Sequence, residues 1–274
     1  MIARDDQHRR AIRAELDEDR DVEAEQRAAT TPSKCIRLED VTLTFDEPIL
    51  RGVTLNAREG ETLMVAGESG SGKSTILKLI LRLLVPDSGR IFVFDEAIAD
   101  LTFAEALEMR RRIGMVFQNA ALFDSLTVFE NVAYPLRENR KELGESELEQ
   151  VVRERLDFVD LEPDKVMPQL PSQLSGGMRK RVGLARALAT DPRVILYDEP
   201  TAGLDPLTVG TINELMRKLQ RELKVTSIIV THDIRAGFRV SDRVNLLKEG
   251  SIVFDGTPEE MVASDDRYIK AFLS

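Results

Sequence analysis

The chain has 274 residues, 42% of them hydrophobic, enough to build one large domain with an inserted subdomain and tails. With 38 basic against 48 acidic side chains the net charge is −10, which argues against a nucleic-acid binder held by a general phosphate-attracting surface. Cys35 is the only cysteine, so an intrachain disulfide and a multi-cysteine metal cluster are both excluded.

Residues 1–34 are charged, rich in Ala and Glu and poor in large apolar side chains. They read as a flexible, solvated tail with one marginal helix at most, docking being the alternative role. His8 lies here and is assigned no role. The start lacks the apolar stretch of a secretory signal, and the best spanning candidate, residues 76–85, carries two charges and is far too short to cross a bilayer. A soluble, cytoplasmic chain is expected.

From Cys35 the pattern changes. Residues 36–45 alternate and are β-branched, which predicts a strand, and a second strand is expected over 52–56 after a Pro-containing turn. Residues 61–66 form a buried-strand run that ends in a glycine loop. A helix is expected over 74–84, stopping near Pro86, then strands over 91–94 and 113–117 with an acidic helical stretch between them. From 119 to 173 strand signals fade, and 145–159 reads as a helix with Leu148, Val151, Val152 and Leu156 on one face. A basic helix follows Ser175, then an apolar strand over 194–197, a helix over 209–223 and a strand over 226–230. The whole is an α/β nucleotide-binding core with a helical insertion. Residues 265–273 have helical apolar spacing and pack either on a neighbouring subunit or on their own core.

Gly67-Glu-Ser-Gly-Ser-Gly-Lys-Ser74 matches the phosphate-loop pattern G-x-x-x-x-G-K-[ST]. Its glycines let successive N–H groups face phosphate oxygens, and the helix that starts here adds its positive end. Gly67, Glu68, Ser69, Gly70, Ser71, Gly72, Lys73, Ser74 and Thr75 are therefore the expected ATP contacts. Lys73 would reach the β- and γ-phosphates, and Ser74 would offer its hydroxyl to Mg²⁺. Further on, Val194-Ile-Leu-Tyr-Asp-Glu-Pro200 sets two carboxylates at the end of an apolar strand, where α/β proteins bind ligands. Asp198 suits a Mg²⁺ position, and Glu199 suits the polarisation of an attacking water.

A phosphate loop alone leaves many enzymes open. Leu174-Ser-Gly-Gly-Met-Arg-Lys-Arg181 narrows them, because it resembles the signature motif of ABC ATPases, with Met178 where glutamine is frequent. Ser175, Gly176 and Gly177 open a helix and so present a hydroxyl, N–H groups and a dipole end to an anion. The resemblance spans about residues 35–257. It implies an ABC-type P-loop NTPase core with an antiparallel β-subdomain and an inserted helical subdomain at about 119–174, followed by a C-terminal helical segment over 258–274. It makes Gln118 the Q-loop glutamine, a catalytic residue and Mg²⁺ contact. Ala202-Gly-Leu-Asp205 becomes the D-loop, with Asp205 acting in trans, and His232 becomes the switch histidine. Phe45 is either the aromatic that stacks on adenine or plain core. The implied unit is a head-to-tail pair in which Ser175, Gly176 and Gly177 of one copy face the γ-phosphate held by the other.

The segment from Gly114 to Arg137, with its Ala-Leu-Phe, Val-Phe-Glu-Asn-Val and Tyr-Pro-Leu-Arg elements, resembles the ATPase of Mla/MCE phospholipid transporters. That implies a transmembrane permease partner, an MCE lipid-binding protein reached through it, and a place on the cytoplasmic face of the inner membrane. Neither nucleic acid nor direct lipid binding is expected. Phe123, Phe129 and Tyr134 either line the groove that receives a permease helix or pack the helical core. A motor for another cargo, such as amino acids, would share every catalytic residue, and an ATP-dependent regulator of a membrane complex such as cell division would share them too.

Overall fold

The structure, a computed structural model, describes residues 33–274, so His8 and all but the end of the expected tail lie outside it. The described chain divides into two compact units, one of residues up to Ala99 together with Ile228–Ser274, the other Asp100–Ser227.

In the first unit, β1 (Lys34–Thr44) pairs antiparallel with β2 (Pro48–Arg58) and with β4 (Ser88–Val93), which carries the short β5 (Glu96–Ala97) on its far side. Ile36, Leu38, Val41 and Leu43 of β1 are buried, and the alternation shifts register at Asp40, a left-handed residue with φ 50°. Each such fully buried aliphatic side chain contributes about 1.5–3 kcal/mol. β3 (Thr62–Gly67) is buried throughout and pairs parallel with β9 (Arg243–Lys248). β10 (Ser251–Gly256) returns antiparallel to β9. β8 (Thr226–Thr231) leads the chain back into this unit, where it lies beside β3. A buried, almost wholly apolar β3 is what a parallel strand covered on both faces requires.

The helix after the phosphate loop, α1 (Lys73–Ile80), is shorter than the expected 74–84. Arg82 turns left-handed (φ 52°) and the Leu83 N–H bonds back to the Lys78 carbonyl at 2.8 Å, a helix-ending turn usually built on glycine. Leu83 and Val85, which continue the apolar spacing, are consequently 60% and 75% exposed.

The second unit contains α2 (Phe103–Arg111), β6 (Ile113–Val116), α3 (Val128–Asn139), α4 (Glu145–Phe158), α5 (Pro163–Val166), α6 (Gly176–Leu188), β7 (Val194–Asp198) and α7 (Pro206–Leu223). β6 and β7 pair parallel. α3, α4 and α6 pack on one another through Val132, Leu136, Leu148, Val152, Leu156 and Val182, all buried. Capping boxes start α2 at Thr102 and α3 at Thr127, each with a glutamate three residues on.

Three helices close the first unit: α8 (Ile234–Phe238), α9 (Pro258–Ala263) and α10 (Arg267–Phe272). Ile269 and Leu273 pack with Met64, Ala66, Val244 and Leu246, so the C-terminal segment covers its own core. Among the described residues, no helix is long and apolar enough to cross a membrane.

Candidate functional site

The first unit contributes the phosphate loop, which links buried β3 to the start of α1. Gly67 leaves no room for a side chain, since a Cβ there would stand 2.5 Å from the Leu247 carbonyl oxygen and 2.8 Å from Ser71 Oγ. Gly72 caps α1 with φ 103°, a conformation that glycine adopts freely. Lys73 is buried inside the loop, and its ammonium donates to the Gly67 and Glu68 carbonyls at 2.8 Å each. Ser71 Oγ is buried with no hydrogen-bond partner among the described residues. An orphaned hydroxyl beside a loop-bound ammonium at a helix N-terminus is a cradle that suits a phosphate oxygen.

Glu68, Ser69 and Gly70 are exposed at the loop's outer side, and Ser74 and Thr75 are half-buried on the first turn of α1. The Glu68 carboxylate accepts from the Tyr268 hydroxyl at 3.3 Å. Phe45 lies in the turn between β1 and β2 and is 57% exposed, which removes the core alternative and leaves its ring free to stack. His232 follows β8 and is exposed, while Asp233 beside it caps α8 by accepting from the Ala236 N–H at 3.0 Å.

The second unit carries Gln118, the Asp198–Glu199 pair, the signature residues and Asp205. Asp198 ends the apolar strand β7. Glu199, one residue beyond, has a left-handed backbone (φ 49°), which a non-glycine residue adopts only under local constraint. Ser175 caps α6, its Oγ accepting from the Met178 N–H at 3.2 Å, so the hydroxyl proton remains to donate outward. Ser175 and Gly176 are exposed.

Gly177 explains itself by contact, since a Cβ there would meet Thr208 Cγ2 at 2.7 Å. Thr208 in turn donates its hydroxyl to Asp205 Oδ2 at 2.5 Å, and the Leu207 and Thr208 N–H groups bond Oδ1 at 3.1 Å each. The Thr208 hydroxyl and these amides hold the Asp205 carboxyl below its ordinary pKa. The signature and the D-loop therefore share one packed corner.

Gln118 is exposed, and its loop is fastened by residues to which the sequence assigns no role. Lys180, on α6, donates to the Gln118 carbonyl and lies 3.5 Å from that of Glu199. Arg186 donates to the Ala120 and Ala121 carbonyls at 2.7 Å each. Burial pulls the Lys180 ammonium below its ordinary pKa, with the Glu199 carboxylate opposing the shift. Asn131, fully buried on α3, accepts from the Phe123 N–H at 2.8 Å and donates to the carbonyls of Phe123, Leu126 and Thr127. For Lys180 and Arg186 the sequence sign is the basic character of the helix after Ser175, and Asn131 stands in the Val-Phe-Glu-Asn-Val element with no role assigned.

A cavity of about 370 Å³ opens in this unit, lined by Phe117, Phe123, Tyr134, Arg110, Arg111 and Arg186 among others. Phe123 and Tyr134 stack tilted with ring centroids 4.9 Å apart and are each nearly half exposed, so neither is simple core. Phe129 does not line the cavity; it faces Arg137, whose guanidinium lies 5.6 Å from its ring.

Residues 50–202 match the family model described as ABC transporter. The chain is 38% identical over 234 residues to the intermembrane phospholipid transport system ATP-binding protein MlaF of Haemophilus influenzae, covering 84% of this chain and 88% of that protein. It is also 42% identical over 204 residues to a methionine import ATP-binding protein, MetN 2, of Bacillus cereus, covering 74% of this chain and 59% of that one. Among solved structures, a dimeric ATP-binding cassette in a post-hydrolysis state bound to ADP and Pi superposes with a TM-score of 0.74 at 37% identity, covering 81% of this chain and 98% of the cassette. This chain belongs to the ABC transporter family and is an ATP-binding, ATP-hydrolysing subunit of it.

Proposed function

We propose that the chain drives phospholipid transport between membranes as a head-to-tail pair that grips a permease of an MCE-type system. The observation that carries the partner reading is the aromatic and arginine-lined cavity, whose Phe123 and Tyr134 rings stay half exposed in a segment resembling the Mla/MCE ATPases. A permease helix end would seat there. The cargo reading draws on the MlaF similarity, which extends over most of both chains.

In the catalytic cycle, Lys73 exchanges its two carbonyl partners for phosphate oxygens, and Ser71 gains the partner it lacks. The Ser74 hydroxyl, the Asp198 carboxylate and the Gln118 amide oxygen are hard oxygen donors of the kind that suit Mg²⁺. That ion, when bound, neutralises charge on the transferring phosphate. Glu199 polarises the attacking water and His232 orients the γ-phosphate region. Ser175, Gly176, Gly177 and Asp205 serve the site of the other copy, and Phe45 stacks on the adenine.

Purifying the tagged chain from its native membranes and identifying co-purifying proteins and lipids tests the assignment. A permease with an MCE-domain protein and bound phospholipid supports it. An amino-acid permease would favour the second reading, an importer motor, to which the methionine-import similarity points. A division-type membrane partner without cargo would overturn both.

A further inference from the structure

The signature helix α6 does more than present Ser175. One side of it lies along the Q-loop backbone. Lys180 donates to the carbonyl of Gln118, and Arg186 donates to those of Ala120 and Ala121. Gly183 lies between them, where a Cβ would stand 3.1 Å from that of Ala120, so the helix and the loop touch with no side chain interposed. Ala120 and Ala121 both have left-handed backbones, with φ 59° and 47°. A loop with two such residues in succession needs external hydrogen bonds to keep its shape.

Lys180 is the residue that reaches beyond the loop. Its side chain is 7% exposed, and the same ammonium that bonds the Gln118 carbonyl lies 3.5 Å from the carbonyl of Glu199, at the end of β7. Burying an ammonium is costly unless its donors are used, and here they are used on the main chains of two functional residues. Glu199 is itself left-handed and bonded onward to the Ala202 N–H at 3.2 Å. Arg186 and Ala121 also line the cavity, so the tethered stretch runs from the cavity wall to Gln118 and Glu199.

We propose that Lys180 is a positioning residue for ATP hydrolysis, holding the Gln118 and Glu199 main chains in one frame with the signature helix. Arg186 holds the adjoining Q-loop residues in that frame at the cavity wall. The inference rests on Glu199 acting as the base that polarises water, so the two are tested together.

The experiment measures kcat and KM for ATP in the full-length chain with Lys180→Met, alongside amide hydrogen exchange over residues 118–121. The expected result is a fall in kcat of about tenfold with KM changed by less than about twofold, because the group acts on the reacting geometry and not on nucleotide affinity. Exchange over 118–121 rises while the β3 amides stay protected. Lys180→Gln, whose amide keeps a donor, loses less kcat than the Met variant and serves if Lys180→Met does not fold. Turnover within about twofold of wild type, or unchanged exchange over 118–121, overturns the proposal. Glu199→Gln is run in parallel: undiminished turnover there removes the role of Glu199 itself, whatever the Lys180 variants do.

Discussion

In the phosphate-loop unit the loop is shaped chiefly by close backbone approach and by contacts within itself. β3 is buried on both faces, Gly67 passes within a methyl's width of the Leu247 carbonyl, and Lys73 bonds to carbonyls of its own loop only five and six residues away. In the signature unit the corresponding loops are placed by side chains, two of which arrive from far along the chain. Lys180 is 62 residues from Gln118, Arg186 is 65 from Ala121, and Asn131 closes four hydrogen bonds on the loop before its helix. The first arrangement has no spare room and the second has no spare tethers. A phosphate cradle whose ligand is constant gains from rigidity. Loops that border the cavity proposed to receive a permease would gain from fastenings that can be pulled.

The comparison can be broken from either side. The largest effect falls on the proposed water-activating carboxylate: Glu199→Gln keeps ATP binding and lowers turnover by about 10²-fold or more, read by steady-state hydrolysis beside nucleotide binding. Next comes the second unit's densest anchor. Asn131→Ala removes the side-chain acceptor of the Phe123 N–H and the side-chain donor to the Leu126 carbonyl, and lowers stability by about 2 kcal/mol, read by chemical denaturation. In the first unit, adding a single methyl with Gly67→Ala forces the loop off the Leu247 carbonyl and weakens ATP binding by about tenfold, read by titration with a fluorescent nucleotide. The smallest effect is Thr127→Ala, which removes the hydroxyl of a capping box and costs about 1 kcal/mol. If Gly67→Ala proved harmless while Asn131→Ala abolished nucleotide binding, the division into backbone-set and tether-set regions would be reversed.

How far the sequence spoke follows the same line. Signals within a few residues were legible: the apolar run of β3, the glycine spacing of the phosphate loop, the cap at Ser175, and the carboxylates ending β7. The helix after the phosphate loop was read four residues too long, because a left-handed arginine ended it and no glycine marked the place. β9 and β10 were not read at all. β9 is buried yet carries Arg243 and Asn245, polar residues that break an apolar run, and Arg243 is accommodated by donating to the Asn56 carbonyl and by Glu61 and Asp255 at 3.4 and 3.2 Å. Lys180 and Arg186 are read only as part of a basic helix. Their partners are main-chain carbonyls, which leave no mark on composition.

The composite site is the central claim, and mixing two disabled variants tests it most directly. Ser175→Arg spoils the signature that a chain offers to its partner, and Lys73→Met spoils the phosphate loop it keeps for itself. Each alone is expected to hydrolyse no ATP above background. In a head-to-tail pair the mixture rebuilds one intact site from the phosphate loop of the first variant and the signature of the second, so single-turnover hydrolysis should reappear on mixing. A mixture as inactive as its parts, or Ser175→Arg alone retaining full turnover, would contradict the account.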